Sequence, residues 1–487
     1  MVKIAIIGDI HLPYEKSATQ YKALDFAVES IQRSGADAVV CIGDTTASGD
    51  LDSAEIFLKK MEEITLPKLF ILGNSDLRNE ETKKEIEFLK TDNVLKIGGL
   101  RLIGLNDADM NLDDADKALL MSTDKNTVVF SHHPPSCMNT ESGEYMTKWL
   151  EENEYLAYVY AHMHIFEHTG KIYSVQALDP DKAIGEPPCV TYLTIGDKIE
   201  IGFEHFPCNK PENIGEYLGL SCFNPVLDIP FATDNGLKNI ELRPSAVDVD
   251  LEMLLEKIAY WRENGGKYLS LHMPDLGYKN GFLGKEQWEK AVELAHYIGV
   301  NGVTVHVPQI SVKDMKSHIG DEFLDFMADM IGQLPENTVV GIENMHMTAE
   351  EKPDEMRRYG YTPEECLEIV KKLNERFGYE RVGNLLDIGH ARNNPPYSQK
   401  YNLSSWYSML GKQTVGYHAH QVIITPDGME NHTAITEPFG MLISYCSFAN
   451  CWNDGVINKK PVILEIRGGI EKYLPSIKTF LETNWCQ

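Results

Sequence analysis

The chain has no stretch approaching the roughly 18 uninterrupted apolar residues of a membrane-spanning helix, so neither a transmembrane segment nor a membrane partner is expected. Cysteine is sparse. Nine in 487 residues, with no CxxC pair, exclude a disulfide framework and fit reduced thiols in a cytoplasm. The opening Met1-Val2-Lys3-Ile4-Ala5-Ile6-Ile7-Gly8-Asp9 meets an acid too early for a signal-peptide core, which adds to the cytoplasmic expectation. Basic charge is also short. With 45 Lys and Arg against 73 Asp and Glu, the net charge of −28 repels a polyanion such as duplex DNA unless a local basic or metal-lined surface offsets it. A small phosphorylated substrate, nucleotide or sugar phosphate, is the easier partner, and nucleic acid is not favoured by charge. Hydrophobic residues at 43% and charged residues at 24% are those of a globular protein, and the length exceeds one ordinary domain.

Short apolar runs alternate with amphipathic stretches in the first half: Ile4–Ile7, Tyr21–Gln32, Ala38–Ile42, Ala54–Glu63 and Lys68–Leu72 read as β-α-β-α-β. After about residue 95 the pattern turns to strands at Leu100–Leu105, Thr127–Ser131, Leu156–Tyr160, Lys171–Val175, Val190–Thr194 and Lys198–Phe203, as in a sheet sandwich flanked by helices. Phe206-Pro207-Cys208-Asn209-Lys210-Pro211-Glu212-Asn213 has two prolines and no periodicity, so it reads as a linker between domains at 1–207 and 213–487. Beyond it, eight strand-like runs begin at Leu218, Ile240, Tyr268, Gly302, Val339, Asn384, Gly416 and Val462, with helical stripes such as Leu251–Glu263 and Pro363–Phe377 between them. Eight βα units describe a (β/α)8 TIM barrel.

Chemistry-bearing residues gather at strand ends. Asp9 and His11 follow the first strand, Asp44 the second, and Asn74 the third in Gly73-Asn74-Ser75-Asp76. Later strands run into Ser131-His132-His133-Pro134-Pro135 and Ala161-His162-Met163-His164. Ligands on one sheet edge can converge, and mixed carboxylate, imidazole and amide donors suit two ions of Mn, Fe or Zn. A lone Asp at a strand end is usually a cap or a turn residue; seven such residues in register are not.

The D-x-H, G-D, G-N-x-D, H and (A/G)-H-x-H elements across residues 1 to about 205 resemble the calcineurin-like metallophosphoesterases. The resemblance implies an αββα sandwich in which Asp9, His11, Asp44 and His164 hold one metal and Asp44, Asn74, His132 and His162 the other. Asp44 bridges them, and Asp44 and Asn74 form the catalytic centre. Such a pair polarises phosphoryl oxygens and activates water near neutral pH. Ser75 stands where many members carry the histidine that protonates the leaving group, and Ala161 replaces a glycine. A serine hydroxyl is too weak an acid for that task, which points to phosphodiesters or good leaving groups.

In (β/α)8 barrels the working residues sit at the C-terminal strand ends. Here those ends carry His272, His306, Glu343, Asp387 with His390, His418 with His420, and Glu465, and a following loop adds Glu430 and His432. One histidine at a strand end is commonly a packing residue; ten such groups together indicate metal binding. The second half resembles the xylose isomerase-like barrel superfamily. That resemblance implies one divalent metal on Glu343, Asp387, His418 and Glu465 if the barrel is isomerase-like. It implies three zincs, adding His272, His306, His390, Glu430 and His432, if it is like the apurinic-site endonucleases. One to three ions of Zn or Mn are therefore expected. Glu343 and Glu465 are the catalytic candidates: facing one another across a single metal they would supply the base that isomerisation needs beside a carbon acid, whereas phosphodiester cleavage needs clustered metals. Function is accordingly expected to be metal-dependent phosphodiester hydrolysis with a second metal site of endonuclease type. The alternatives are a barrel acting as sugar or sugar-phosphate isomerase, and a metal-dependent binding module without turnover.

Overall fold

The computed structural model describes all residues except 349–350, 354–355, 427 and 486–487. The chain forms two compact units: Met1–Asn209 together with Phe439–Ser447, and Lys210–Pro438 together with Phe448–Trp485.

The first unit contains two sheets. One has five strands in the order Ile199–His205, Cys189–Ile195, Val2–Ile7, Ala38–Ile42 and Lys68–Ile71. The other has six: Val94–Ile97, Leu100–Gly104, Thr127–Ser131, Ala157–Tyr160, Ile172–Ser174 and His168–Thr169. Alternate residues of both sheets meet in one apolar core that includes Ile4, Ile6, Val40, Ile42 and Ile71 from the first and Leu102, Val128, Phe130 and Val159 from the second. The opposite face of the second sheet, with Ile103, Val129 and Tyr158, is covered by Met146 and Trp149 of helix Thr140–Glu152 and by Leu120 of helix Asp114–Met121. Helices Thr19–Arg33 and Leu51–Glu62 each bury an apolar stripe. This is the αββα sandwich. Strands Val2–Ile7, Ala38–Ile42 and Lys68–Ile71 run parallel, so the turns that follow them lie along one edge.

The second unit is a closed barrel of eight parallel strands: Leu218–Cys222, Asn239–Leu242, Tyr268–His272, Gly302–His306, Val339–Glu343, Val382–Asp387, Thr414–Ala419 and Val462–Leu464. Its register brings His306 level with Glu343, and Asp387 level with His418. Several pieces had no sequence signal: helices Pro225–Asp234, Leu403–Leu410 and Cys446–Asn453, and a hairpin of Gln421–Thr425 with Gly428–Thr433. Among the described residues no helix is long and apolar enough to cross a membrane, and the eight described cysteines form no disulfide.

Candidate metal centres

In the first unit the turns after the parallel strands are tightly wound. Asp9, His11, Asp44, His162 and His164 all have positive φ, between 49° and 69°, a region that residues other than glycine rarely occupy. Strain of this kind gathers where side-chain placement matters. Gly43 and Gly73 let two turns nearly touch: a Cβ on Gly73 would lie 2.2 Å from Asp44 Oδ1.

Asp44 stands between two donor sets. Its Oδ2 lies 3.0 Å from His11 Nε2, and its Oδ1 lies 3.4 Å from His132 Nε2 while accepting the Ser75 amide at 2.7 Å. On the first side Asp9, His11 and His164 cluster, with His164 Nε2 3.7 Å from Asp9 Oδ1. On the second, His132 Nε2 is 3.1 Å from Asn74 Oδ1 and 3.3 Å from His162 Nδ1. Asp44 is buried, yet its carboxyl is held well below the usual range, because the imidazoles of His132 and His11 outweigh the burial. Burial pushes Asp9 up to about 6 and His162 down to about 4. An ionised Asp9 with His162 and His164 held neutral by burial needs further positive charge. Divalent cations fit, and Asp9 Oδ1 makes no hydrogen bond among the described residues.

A supporting shell orients these groups. His132 donates from Nδ1 to the Ile42 carbonyl at 2.9 Å, which leaves Nε2 bare toward Asn74. Asp107 receives the amides of His132 and His133 at 2.9 and 2.8 Å. Asp76 receives the amides of Thr46 and Gly73 at 2.7 and 3.0 Å. Asp179 Oδ2 lies 3.3 Å from His11 Nδ1, and the Gln20 amide nitrogen donates to Asp179 at 2.7 Å and to Asp181 at 2.9 Å. Asp107, Asp179 and Gln20 were not singled out from sequence; they lie in segments with no local motif. Ser75 is fully buried and its hydroxyl donates to the Thr46 carbonyl at 2.6 Å.

In the barrel, Glu343 occupies the position that Asp44 has in the first unit. Its Oε2 faces His272 Nε2 at 3.3 Å and His306 Nε2 at 3.5 Å, and its Oε1 faces His418 Nδ1 at 3.3 Å and His390 Nδ1 at 3.5 Å. Glu465 Oε2 is 2.9 Å from His418 Nδ1, and Asp387 Oδ2 is 3.8 Å from the same atom. Glu343, Asp387, His418 and Glu465 thus gather around one point, with His272 and His306 meeting Glu343 on its other side. All four of the central residues are buried, and both oxygens of Glu343, Asp387 Oδ2 and Glu465 Oε2 make no hydrogen bond among the described residues. Buried carboxylate oxygens without a hydrogen bond, converging with imidazole nitrogens on one point, fit one or more divalent cations.

Two positions depart from the sequence expectation. Glu430 is exposed on strand Gly428–Thr433, and His420 is the residue that stands beside His390 and His432. The hairpin register slips between Gln421 and Ile423, and His432 has φ +60°, so the strand alternation that would carry residues 430 and 432 to one face is broken. Glu241, which was not anticipated, is buried in the second barrel strand with Oε1 3.0 Å from His418 Nε2. A charged residue inside Ile240-Glu241-Leu242 is the signal that marks it. Arg243 follows and donates to Glu465 Oε1 at 2.8 Å.

Geometry and ligand order therefore describe a sandwich whose Asp44 stands between two carboxylate and imidazole donor sets, and a barrel that carries carboxylate and histidine clusters of its own. Residues 2–166 match the family model of calcineurin-like phosphoesterases. A Xenorhabdus bovienii protein named as a probable cyclic nucleotide phosphodiesterase is 32% identical over 85 residues, 16% of this chain. The match spans only about a third, 34%, of that relative. Among solved structures, a dimetal phosphatase from Danio rerio aligns with 42% of this chain and 95% of its own at 13% identity and a TM-score of 0.33. Endonuclease IV from Thermus thermophilus aligns with 54% of this chain and 97% of its own at 18% identity and a TM-score of 0.39. A 3-keto-D-glucoside 4-epimerase from E. coli does so with 54% and 97% at 13% identity and a TM-score of 0.36. At these scores the likenesses carry no argument about activity.

Proposed function

We propose that the first unit hydrolyses phosphodiesters with two divalent ions, using Asp9, His11, Asp44 and His164 for one and Asp44, Asn74, His132 and His162 for the other. The observation that carries this is Asp44, whose two oxygens each face a separate donor set. The ions supply Lewis-acid charge to a phosphoryl oxygen and lower the pKa of water. Asn74 and His132 align one edge of the site, and the fixed His132 tautomer keeps a bare nitrogen there. No acid stands at Ser75, so the substrate is a diester or an ester with a good leaving group, such as an aryl oxide that departs without a proton from that position. Turnover of a generic aryl phosphodiester with Mn2+, Fe2+ or Zn2+ supplied tests this. Wild type should turn over, and Asp44→Asn should lose about 10²-fold or more, as when one preorganised electrostatic group is removed. Equal background rates would favour a binding module instead.

For the barrel the supported reading is a second metal-dependent phosphodiesterase site of endonuclease type, because Glu343 is flanked by histidine pairs on both oxygens, as a multi-ion cluster requires. An isomerase or epimerase acting on a sugar or sugar phosphate needs only the four-residue set Glu343, Asp387, His418 and Glu465, and the exposure of Glu430 favours that second reading. Ion counting separates them: about five ions per full chain for the first and about three for the second, two being those of the sandwich. An abasic-site oligonucleotide and an aldose–ketose panel, each with Glu343→Gln as control, then identify the reaction. Activity on neither would sink both.

A further inference from the structure

We infer that His420 is a positioning residue rather than a metal ligand: it locks the ligand Asp387 to the strand that carries His432. This rests on the reading that the barrel holds divalent ions. His420 lies with His390 and His432 in a buried trio whose ring nitrogens are close enough to share a cation. Its hydrogen bonds point to a different role. The backbone N–H of His432 donates to His420 Nδ1 at 2.9 Å. Nδ1 also lies 3.2 Å from the Gln421 carbonyl, but an amide can only donate and a carboxylate only accept, so the shorter His432 bond and the Asp387 contact together select a bare Nδ1 with the ring proton on Nε2. Nε2 then donates to Asp387 Oδ1 at 3.1 Å. Both ring nitrogens are committed, and neither is left for a cation.

The consequences fall on two neighbours. Asp387 Oδ1 takes the His390 amide at 2.6 Å as well as His420, which leaves Oδ2, buried and without a hydrogen bond among the described residues, as its single free oxygen. His432 has φ +60°, and its Nδ1 donates to the Glu465 carbonyl at 3.2 Å, so Nε2 is the nitrogen it can offer. One imidazole thus fixes which oxygen Asp387 presents and holds the strained turn that presents His432. The space is cut to fit: a Cβ on Gly389 would sit 1.8 Å from His420 Cε1.

Substitution in the full chain separates the roles. In His420→Gln the side-chain oxygen can accept from the His432 amide and the nitrogen can donate to Asp387; His420→Ala can do neither. Ions per chain, zinc affinity by chelator competition and the Co2+ absorption spectrum are the readouts. His420→Ala is expected to lower barrel affinity about 10–100-fold and to shift the Co2+ bands, as loss of an orienting partner does. His420→Gln is expected to keep the wild-type ion count and most of the affinity. Loss of one ion in His420→Gln would make His420 a ligand and overturn the inference, as would wild-type affinity and spectrum in His420→Ala. A wild-type chain binding no ion beyond the two of the sandwich would overturn the metal reading of the barrel, and this inference with it.

Discussion

Single residues decide which chemistry the sandwich can perform, and Ser75 is the sharpest case. Its neighbours in Gly73-Asn74-Ser75-Asp76 give the backbone of the motif: the Ser75 amide reaches Asp44, and Asp76 ties two turns together. The hydroxyl, however, points to the Thr46 carbonyl and is sealed from solvent. Loss of a working general acid costs about 10²–10⁴-fold in rate. Ser75→Ala is therefore expected to cost less than about 10-fold on an aryl diester and to leave the pH profile in place. Steady-state rates of the variant across pH 5.5–9 check this; a loss of 10²-fold or more would put the serine into the chemistry.

At the scale of elements, helix Asp114–Met121 shows how a cap can carry a pH dependence. Asp113 and Asp116 form a reciprocal capping box, and Asp116 also accepts the Asn106 amide at 3.0 Å. Burial pushes the Asp116 carboxyl up to about 6, with the Asn106 amide opposing and Asp113 adding to the rise. A folded value above the unfolded one near 3.9 means that the folded state holds the proton more tightly. Between about pH 4 and 6 the unfolded chain ionises first, so this group's contribution to stability falls as pH rises and stays lowered above 6. Asp116→Asn cannot ionise and keeps one acceptor for Asn106. Relative to that variant, wild type should lose thermal stability between pH 4.5 and 6.5; an unchanged difference between their melting temperatures would refute the shift. The same scale shows what sequence can and cannot reveal. The clustered strand-end residues Asp9, Asp44, Glu343 and Asp387 were legible because parallel strands put their C-terminal ends on one edge. Asp179 was not, since a carboxylate bonded through tertiary contacts leaves no periodic trace, and Glu241 shows only as a charge inside the apolar run Ile240-Glu241-Leu242. Glu430 is exposed because a bulged hairpin with a left-handed His432 breaks the alternation that residue counting assumes.

Over the whole molecule, the chain order of the two units is less simple than a linker near residue 209 suggests. Phe439–Ser447, deep in the second half of the sequence, belongs to the first unit. There the Gly185 amide donates to the Phe439 carbonyl at 2.8 Å, and the Ser444 amide donates to the Asp181 carbonyl at 3.1 Å. Asp181 shares the Gln20 amide with Asp179, and Asp179 faces His11. A segment remote in sequence is thus four links from His11, a proposed metal ligand of the sandwich, and an orienting partner on a ligating histidine is typically worth about 10–100-fold in affinity. A fragment ending at Asn209 keeps every proposed ligand of the first site but lacks this brace. It is expected to melt below the full chain and to bind Mn2+ more weakly, by up to about 100-fold, with addition of chelator to the full chain not reproducing the whole loss of stability. Calorimetry and Mn2+ titration of the fragment beside the full chain test this. Wild-type affinity in the fragment would show that His11 is held without the brace, by the turn that gives it φ +49° and by Asp44 alone.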